Sequence, residues 1–446
     1  MHSNASQRTA LSVTVYNSNF ALVRERRQLQ LGQGLVALTF EDVAAHVEPT
    51  SVMVRAVGAP AQLSVLEQNY RYDVLAPEVL LEKYIGRSVK VARYNQQLGK
   101  DEIVSAEILG AGPVLRIDDQ IVTGMPGRFI FPELPPNLVQ KPTLVWLLAS
   151  RSDQQELEVS YLTQNLSWQA SYVLSLSADA ARGKLSGWVT LVNQTGVSFP
   201  DAKLDLVAGD VQHQPTSGGK EIGEGAASGL GEADRQLSEQ ALFEYHLYSL
   251  DRPTDVLDRE QKQVSLLEAD GVRVDTQLVL HGSPDFFRAT LPALGGVEKV
   301  SVVLLIENES ASNLGMPLPK GTVRVYKTDT EGAAQFVGED RIDHTPQGES
   351  IELDIGKSFD VVGARKQLAF RALGNCSAES DWQVELRNHK AEAVNVEVLE
   401  PTSSEWTLVR SSQPHEPRDA HRFAFQVNVP ANAAAQVTYT VRVRWC

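Results

Sequence analysis

Leu11-Ser12-Val13-Thr14-Val15-Tyr16 sets an apolar side chain at every second position, the period of a half-buried β-strand. Asn17-Ser18-Asn19 follows as a turn cluster, and Phe20 to Leu31 resumes the strand pattern. Gly32-Gln33-Gly34 breaks it, Leu35 to Phe40 forms a third run, and Ser51 to Val57, rich in β-branched residues, a fourth. Short strands separated by turn signals are the cadence of sandwiches and barrels.

The pattern continues through Ser88 to Tyr94 and Glu102 to Leu109, then Thr143 to Ala149, Leu157 to Leu162 and Trp168 to Leu176. Lys184 to Val192, Ala202 to Val211, Gln263 to Leu267, Val272 to Leu280 and Val300 to Asn308 extend it. Helical signals are few. The best is Pro77 to Gly86, with Pro in the first turn, Leu80, Leu81, Tyr84 and Ile85 on one face, and Gly as a stop. Leu237 to Leu250 fits either period, and we read a strand from Phe243 with any helix confined to the turns before it. Prolines at 132, 135, 136 and 142 mark a boundary.

The expected fold is all-β: tandem antiparallel β-sandwich-like domains with few short helices. Its divisions are an N-terminal β domain over 1–140, a central β domain over 141–375 and a C-terminal Ig-like domain over 376–446. Residues 212–233, with six glycines and no period, read as a flexible loop. Gly223, Gly225 and Gly229 within it lack the strand-to-helix setting of a dinucleotide fingerprint. A weak repeat supports stacked sandwich units. Val189 to Asn193, Val303 to Asn308 and Val384 to Asn388 are each an apolar strand ending in Asn before a polar turn, where an amide side chain can bond nearby backbone.

The chain has 446 residues, 42% hydrophobic and 22% charged, as in ordinary globular proteins of two or three domains. A net charge of -15 argues against nucleic acid as a partner. Arg24, Arg26 and Arg27, interrupted by Glu25, read as a solvated edge strand, with Glu25 and Arg27 on one face. No apolar run reaches the ~18 residues of a membrane span, so no integral membrane segment is expected. The N-terminus shows no secretory signal pattern. For Cys376 and Cys446, one bridge and two free thiols are both open readings.

No zincin-type histidine pair, Gly-x-Ser-x-Gly elbow or nucleophilic cysteine context occurs, so catalytic residues, metal and cofactor are all expected to be none. The densest polar cluster runs from Gly338 to Glu349. There Asp340 or Asp343 could orient His344, with Glu349 as a second carboxylate. The alternative is a solvated hairpin whose acids satisfy turn amides. Trp168 and Tyr172 share a strand face, either as a carbohydrate or peptide platform or as core.

Leu166 to Tyr172, Val192 to Gly196, Leu206 to Asp210 and Leu318 to Tyr326 together resemble the domain-of-unknown-function family four-one-three-nine of bacteria. Gly338-Glu339-Asp340, His344-Thr345-Pro346, Phe359-Asp360 and Tyr439 to Trp445 continue the likeness, which runs from about residue 150 onward. Some members carry the label mucoidy inhibitor. The resemblance implies an all-β protein, often exported, with no established activity and no catalytic residues to carry over.

The expected function is therefore a non-enzymatic envelope or surface β-scaffold whose partner is another protein or a surface glycan. Two alternatives stand beside it. One is a hydrolase or carbohydrate-active enzyme using carboxylates among Asp340, Asp343 and Glu349; the other is a cytosolic binding module. The periplasm or envelope follows from the resemblance alone, and the cytoplasm stays open.

Overall fold

The computed structural model describes residues 1–95, 99–135, 138–213, 237–291, 296–402 and 405–446. Gly223, Gly225, Gly229 and nearly all of the 212–233 loop lie outside the described residues. The fold is all-β, with open, sandwich-like sheets and one α-helix among the described residues, Pro77–Lys83. That helix matches its sequence signals: Pro77 opens it, Glu78 lies in the first turn, Lys83 in the last, and Leu81 is buried. No helix among the described residues is long and apolar enough to cross a membrane.

The chain divides into two compact units, each discontinuous in sequence. The first comprises 1–168, 191–211 and 247–262; the second comprises 169–190, 212–246 and 263–446.

In the first unit, strands Phe199–Ala208, Arg8–Tyr16, Phe20–Gln30, Gln154–Gln164 and Met53–Ala56 lie side by side in that order. Leu11, Val13 and Val15 are buried, as their alternation requires. Phe199–Ala208 runs parallel to Arg8–Tyr16, so neighbours in space are far apart in sequence. A second sheet pairs His2–Ser3, Gly34–Phe40, Thr143–Ser150 and Leu63–Arg71. A third, five-stranded sheet spans Ser88 to Ile130 and packs Val89, Val91, Ile108 and Leu115 against Leu81 and Tyr84.

The second unit contains most of two sheets. One orders Glu260–Arg273, Arg182–Asn193, Leu166–Leu176, Gly321–Thr328 and Ala334–Ile342. The other has nine strands and includes Glu298–Glu307, Ser350–Gly374, Ser377–Asn388 and Ala433–Arg444 as adjacent members in the order 433–444, 377–388, 350–374, 298–307. Residues 376–446 thus share a sheet with three strands drawn from 275–374. Trp382, Phe423, Phe425 and Tyr439 form the aromatic centre of its core, with the Phe425 and Tyr439 rings 5.2 Å apart. Burying side chains of this size stabilises by about 1.5–3 kcal/mol each. Cys376 and Cys446 are joined in a disulfide that ties the last residue to the turn before Ser377–Asn388.

Each of the three strand-ending asparagines is buried and has its amide fully engaged. Asn193 donates to the carbonyls of Val197 and Val256 and accepts from the Thr195 amide and hydroxyl. Asn308 donates to Met316 and Pro346 and accepts from Gly315. Asn388 donates to Glu392, Val429 and Pro430 and accepts from Lys390. The repeat seen in the sequence is thus one structural device. It reaches beyond its own turn, because Val256, Pro346 and Val429 lie tens of residues away.

Two expectations fail. The strand Phe20–Gln30 is no solvated edge, since it lies between Arg8–Tyr16 and Gln154–Gln164. Glu25 and Arg27 face inward and are 1% and 0% exposed. Arg27 donates to Glu25 at 2.6 Å and stacks 3.5 Å above the Phe40 ring, while Arg8 takes the other Glu25 oxygen at 2.6 Å. The second concerns Leu237 to Leu242, the turns left open to a helix, which form a strand. The strand expected from about Phe243 is present as Tyr245–Leu250, with Phe243 at φ +58° in the turn just ahead of it.

The second unit buries its own charge group. Arg365 donates through two nitrogens to one oxygen of Glu400, at 3.1 and 3.2 Å, and also pairs with Glu298. The Tyr439 hydroxyl also interacts with the Glu400 carboxyl. Glu400 also fills the space where Gly282 lacks a side chain; a Cβ there would come within 2.1 Å of its Oε2 atom. Burial pushes the Glu400 carboxyl up, and Arg365 opposes that shift. Arg365→Met strands a buried carboxylate and is expected to lower stability by about 3–5 kcal/mol. Adding Glu400→Gln should return part of that loss. Denaturant unfolding of both variants checks it, and an Arg365→Met chain as stable as the native one would contradict the pairing.

Candidate functional site

The polar hairpin singled out in the sequence lies in the second unit, where strand Ala334–Ile342 approaches the 25-residue strand Ser350–Gly374. Gly338, at φ +155°, permits that approach: a Cβ there would fall 2.0 Å from the Ile355 carbonyl oxygen. No other residue type fits such a contact.

Each of the four candidate residues takes part in a hydrogen bond that involves the backbone. Asp340 is half-buried, and its carboxylate accepts the backbone N–H groups of Arg341 and Asp354, each at 2.8 Å. Asp343 is exposed, and its carbonyl accepts the Thr345 hydroxyl. The Nδ1 atom of His344 accepts the Lys320 N–H at 3.2 Å, which places the ring proton of the neutral imidazole on Nε2. Glu349 is exposed, and its carbonyl accepts the Asn308 N–H. Asp340 therefore anchors backbone, and the His344 ring receives the Lys320 amide.

A cluster that the sequence reading did not single out lies next to Asp340. Ser301 and Lys357 face each other across paired strands, between two irregularities in register. Lys357 Nζ lies 2.6 Å from Ser301 Oγ and 2.9 Å from Asp354 Oδ2, and Ser301 donates to the same carboxylate at 3.1 Å. Gly356, at φ +151°, turns the strand and donates to Asp354. Burial tends to raise the Asp354 carboxyl, but the Lys357 ammonium, Ser301 and Gly356 outweigh it and hold it below the usual range. His281 nearby is pushed down by burial and by the Lys357 charge.

A serine and a lysine this close could act as nucleophile and base if the lysine were neutral. Asp354 works against that. Its carboxylate pairs with the Lys357 ammonium at 2.9 Å, and Ser301 is 1% exposed, closed off from a substrate. The arrangement as it stands is an ionic clamp that shapes a bulged strand. Two residues beyond Lys357, Phe359 stands 94% exposed. The clamp had no local signature, because strand register alone brings Ser301 to Lys357.

Trp168 and Tyr172 are core, not a platform. Trp168 is 2% exposed and donates to the Val207 carbonyl; Tyr172 is fully buried and its hydroxyl donates to Pro319. Among the described residues, no group of three or more His, Cys, Asp or Glu side chains could hold a metal ion.

Residues 157–446 match the model of a family described as a domain of unknown function (DUF4139), and the chain belongs to that family. No curated protein matches the chain.

A carboxylate with a depressed folded-state pKa contributes stability above its unfolded value and loses it as pH falls through the folded one. Asp354 is 40% exposed, so screening keeps its contribution small. Asp354→Asn is expected to lower stability by at most about 1 kcal/mol at pH 7. The difference from the native chain should shrink below about pH 4. Denaturant unfolding at pH 7 and about pH 3 checks the sign, and a difference that persists in acid would contradict an ionic clamp.

Proposed function

We propose that this member of the family is a non-enzymatic β-scaffold of the cell envelope that works by contacting another protein. The observation that carries the reading is the closure of Ser301, Lys357 and Asp354 on one another, with Asp340 spent on backbone amides. Side chains with reactive chemistry are here used to hold strands. A protein partner is favoured over a surface glycan because Trp168 and Tyr172 lie in the core, leaving no ring platform on that strand.

The envelope is supported by the Cys376–Cys446 disulfide, since such bridges persist in oxidising compartments and are rare in the cytosol. The hydrolase alternative needs two carboxylates about 5–10 Å apart across a cleft, whereas Asp340 is tied to backbone and Asp343 and Glu349 are exposed. The cytosolic binding module predicts two free thiols.

The test uses protein extracted from its host without reductant, fractionated by compartment and cross-linked in place. Alkylation and mass spectrometry should find Cys376 and Cys446 linked, in the envelope fraction, with a protein cross-linked to the chain. Free thiols in a cytosolic fraction would overturn the location. Glycosidase or esterase activity that is lost in Asp343→Asn or Glu349→Gln would overturn the non-enzymatic reading.

A further inference from the structure

Strand Leu63–Arg71 borders its sheet, bonded to Thr143–Ser150 on one side and, among the described residues, to no strand on the other. Every second residue of such a border strand turns its N–H and C=O outward, a template for another strand. Proteins commonly blunt these borders with very short strands, lysine or proline. The opposite border of the same sheet is blunted in this way, by the two-residue strand His2–Ser3. Leu63–Arg71 has nine residues and neither lysine nor proline. Its one irregularity leaves Leu66 without a residue opposite, so the ladder from Glu67 to Arg71 is regular.

The two faces of that regular stretch differ. Gln68 and Tyr70 are in register with Trp146 and Leu144, both fully buried. Gln68 accepts the Trp146 indole N–H at 2.9 Å, and the Tyr70 hydroxyl donates to the Ala45 carbonyl at 2.9 Å, so both side chains are held inward. Alternation sends Glu67, Asn69 and Arg71 to the other face, where all three are exposed. Neither Glu67 nor Arg71 is ion-paired among the described residues.

We infer that Leu63–Arg71 pairs with the same strand of a second copy of this chain, antiparallel and centred on Asn69. That register sets Glu67 opposite Arg71 of the second copy, and Arg71 opposite its Glu67. Directly opposed residues share a face, so both ion pairs stand on the exposed face with the two Asn69 amides between them. Just outside the regular stretch, the exposed side chain of Leu66 comes alongside the equally exposed Tyr72 of the second copy. Other registers lose this match. Parallel pairing places Glu67 beside Glu67 and Arg71 beside Arg71. Centring on Tyr70 brings Glu67 to Asp73, and centring on Gln68 leaves both charges opposite Asn69 and Val65. The strand is thus complementary to itself, which a two-fold interface requires and an unrelated peptide would not. The inference stands apart from the scaffold reading, because this strand lies in the first unit and the Ser301 clamp in the second.

The test is sedimentation velocity of the full chain over a concentration series, where the native chain should dimerise reversibly. Glu67→Arg and Arg71→Glu each set like charges opposite one another twice, and each should weaken the dimer by about tenfold. The chain carrying both substitutions restores opposite charges and should dimerise within about threefold of the native chain. These side chains are exposed, so Tm of the variants at a dilution where the native chain is monomeric should match the native value. Asn69→Cys places two thiols opposite each other on the two-fold axis, and mild oxidation should link the copies through residue 69. Glu67→Cys, which faces Arg71, should not link. The inference is overturned if the chain stays monomeric throughout, or if the single charge variants dimerise like the native chain. It is equally overturned if the double substitution fails to restore the dimer, or if Glu67→Cys links as fast as Asn69→Cys.

Discussion

A backbone group buried at the end of a strand must find a hydrogen-bond partner, and in this chain asparagine side chains meet that need three times over. Asn193, Asn308 and Asn388 each end a strand in the interior, where water cannot solvate the departing turn. A primary amide suits the position because it carries two donors and a two-lone-pair acceptor without charge. Each reaches one partner in its own turn and another on a distant segment, so the turn and the long-range contact are secured together. An isosteric aspartate would lose both donors and bring a charge into the core.

The same accounting explains the buried charges. Glu25 with Arg8 and Arg27, and Arg365 with Glu298 and Glu400, are expensive to desolvate, and their mutual attraction does little more than offset that expense. What they add is uniqueness of register. Shifting Phe20–Gln30 by one residue would turn Glu25 and Arg27 to the other face and separate them from Arg8 and Phe40. In a chain whose sheets include parallel partners far apart in sequence, such as Leu166–Leu176 with Gly321–Thr328, that selectivity matters.

Much of the fold was legible because strand burial leaves a two-residue period, as Leu11 to Tyr16 and Trp168 to Leu176 illustrate. The Asn repeat was visible too, although its long-range half was not, since nothing near Asn193 points to Val256. Misreadings arose where a residue's usual setting was overridden by a distant partner. Arg27 looked like surface because its carboxylate, its aromatic floor and Arg8 come from three strands. Leu237 to Leu242 fits a helical period, yet it is a strand whose Glu239 pairs with His246 after the turn. For the candidate site, the Gly338–Glu349 hairpin was found but its role was not. Asp340 acts on Asp354, and the Ser301–Lys357 contact exists only through register. Composition carries no trace of either.

If the buried asparagines hold the strand ends, the amides that donate to their side-chain oxygens must be as closed to water as the strands themselves. Native-state hydrogen exchange at Thr195, Gly315 and Lys390 reads this directly. The account predicts protection matching that of amides in the adjoining strands. Exchange at the rate of open turn amides would show that the asparagines decorate these corners without holding them.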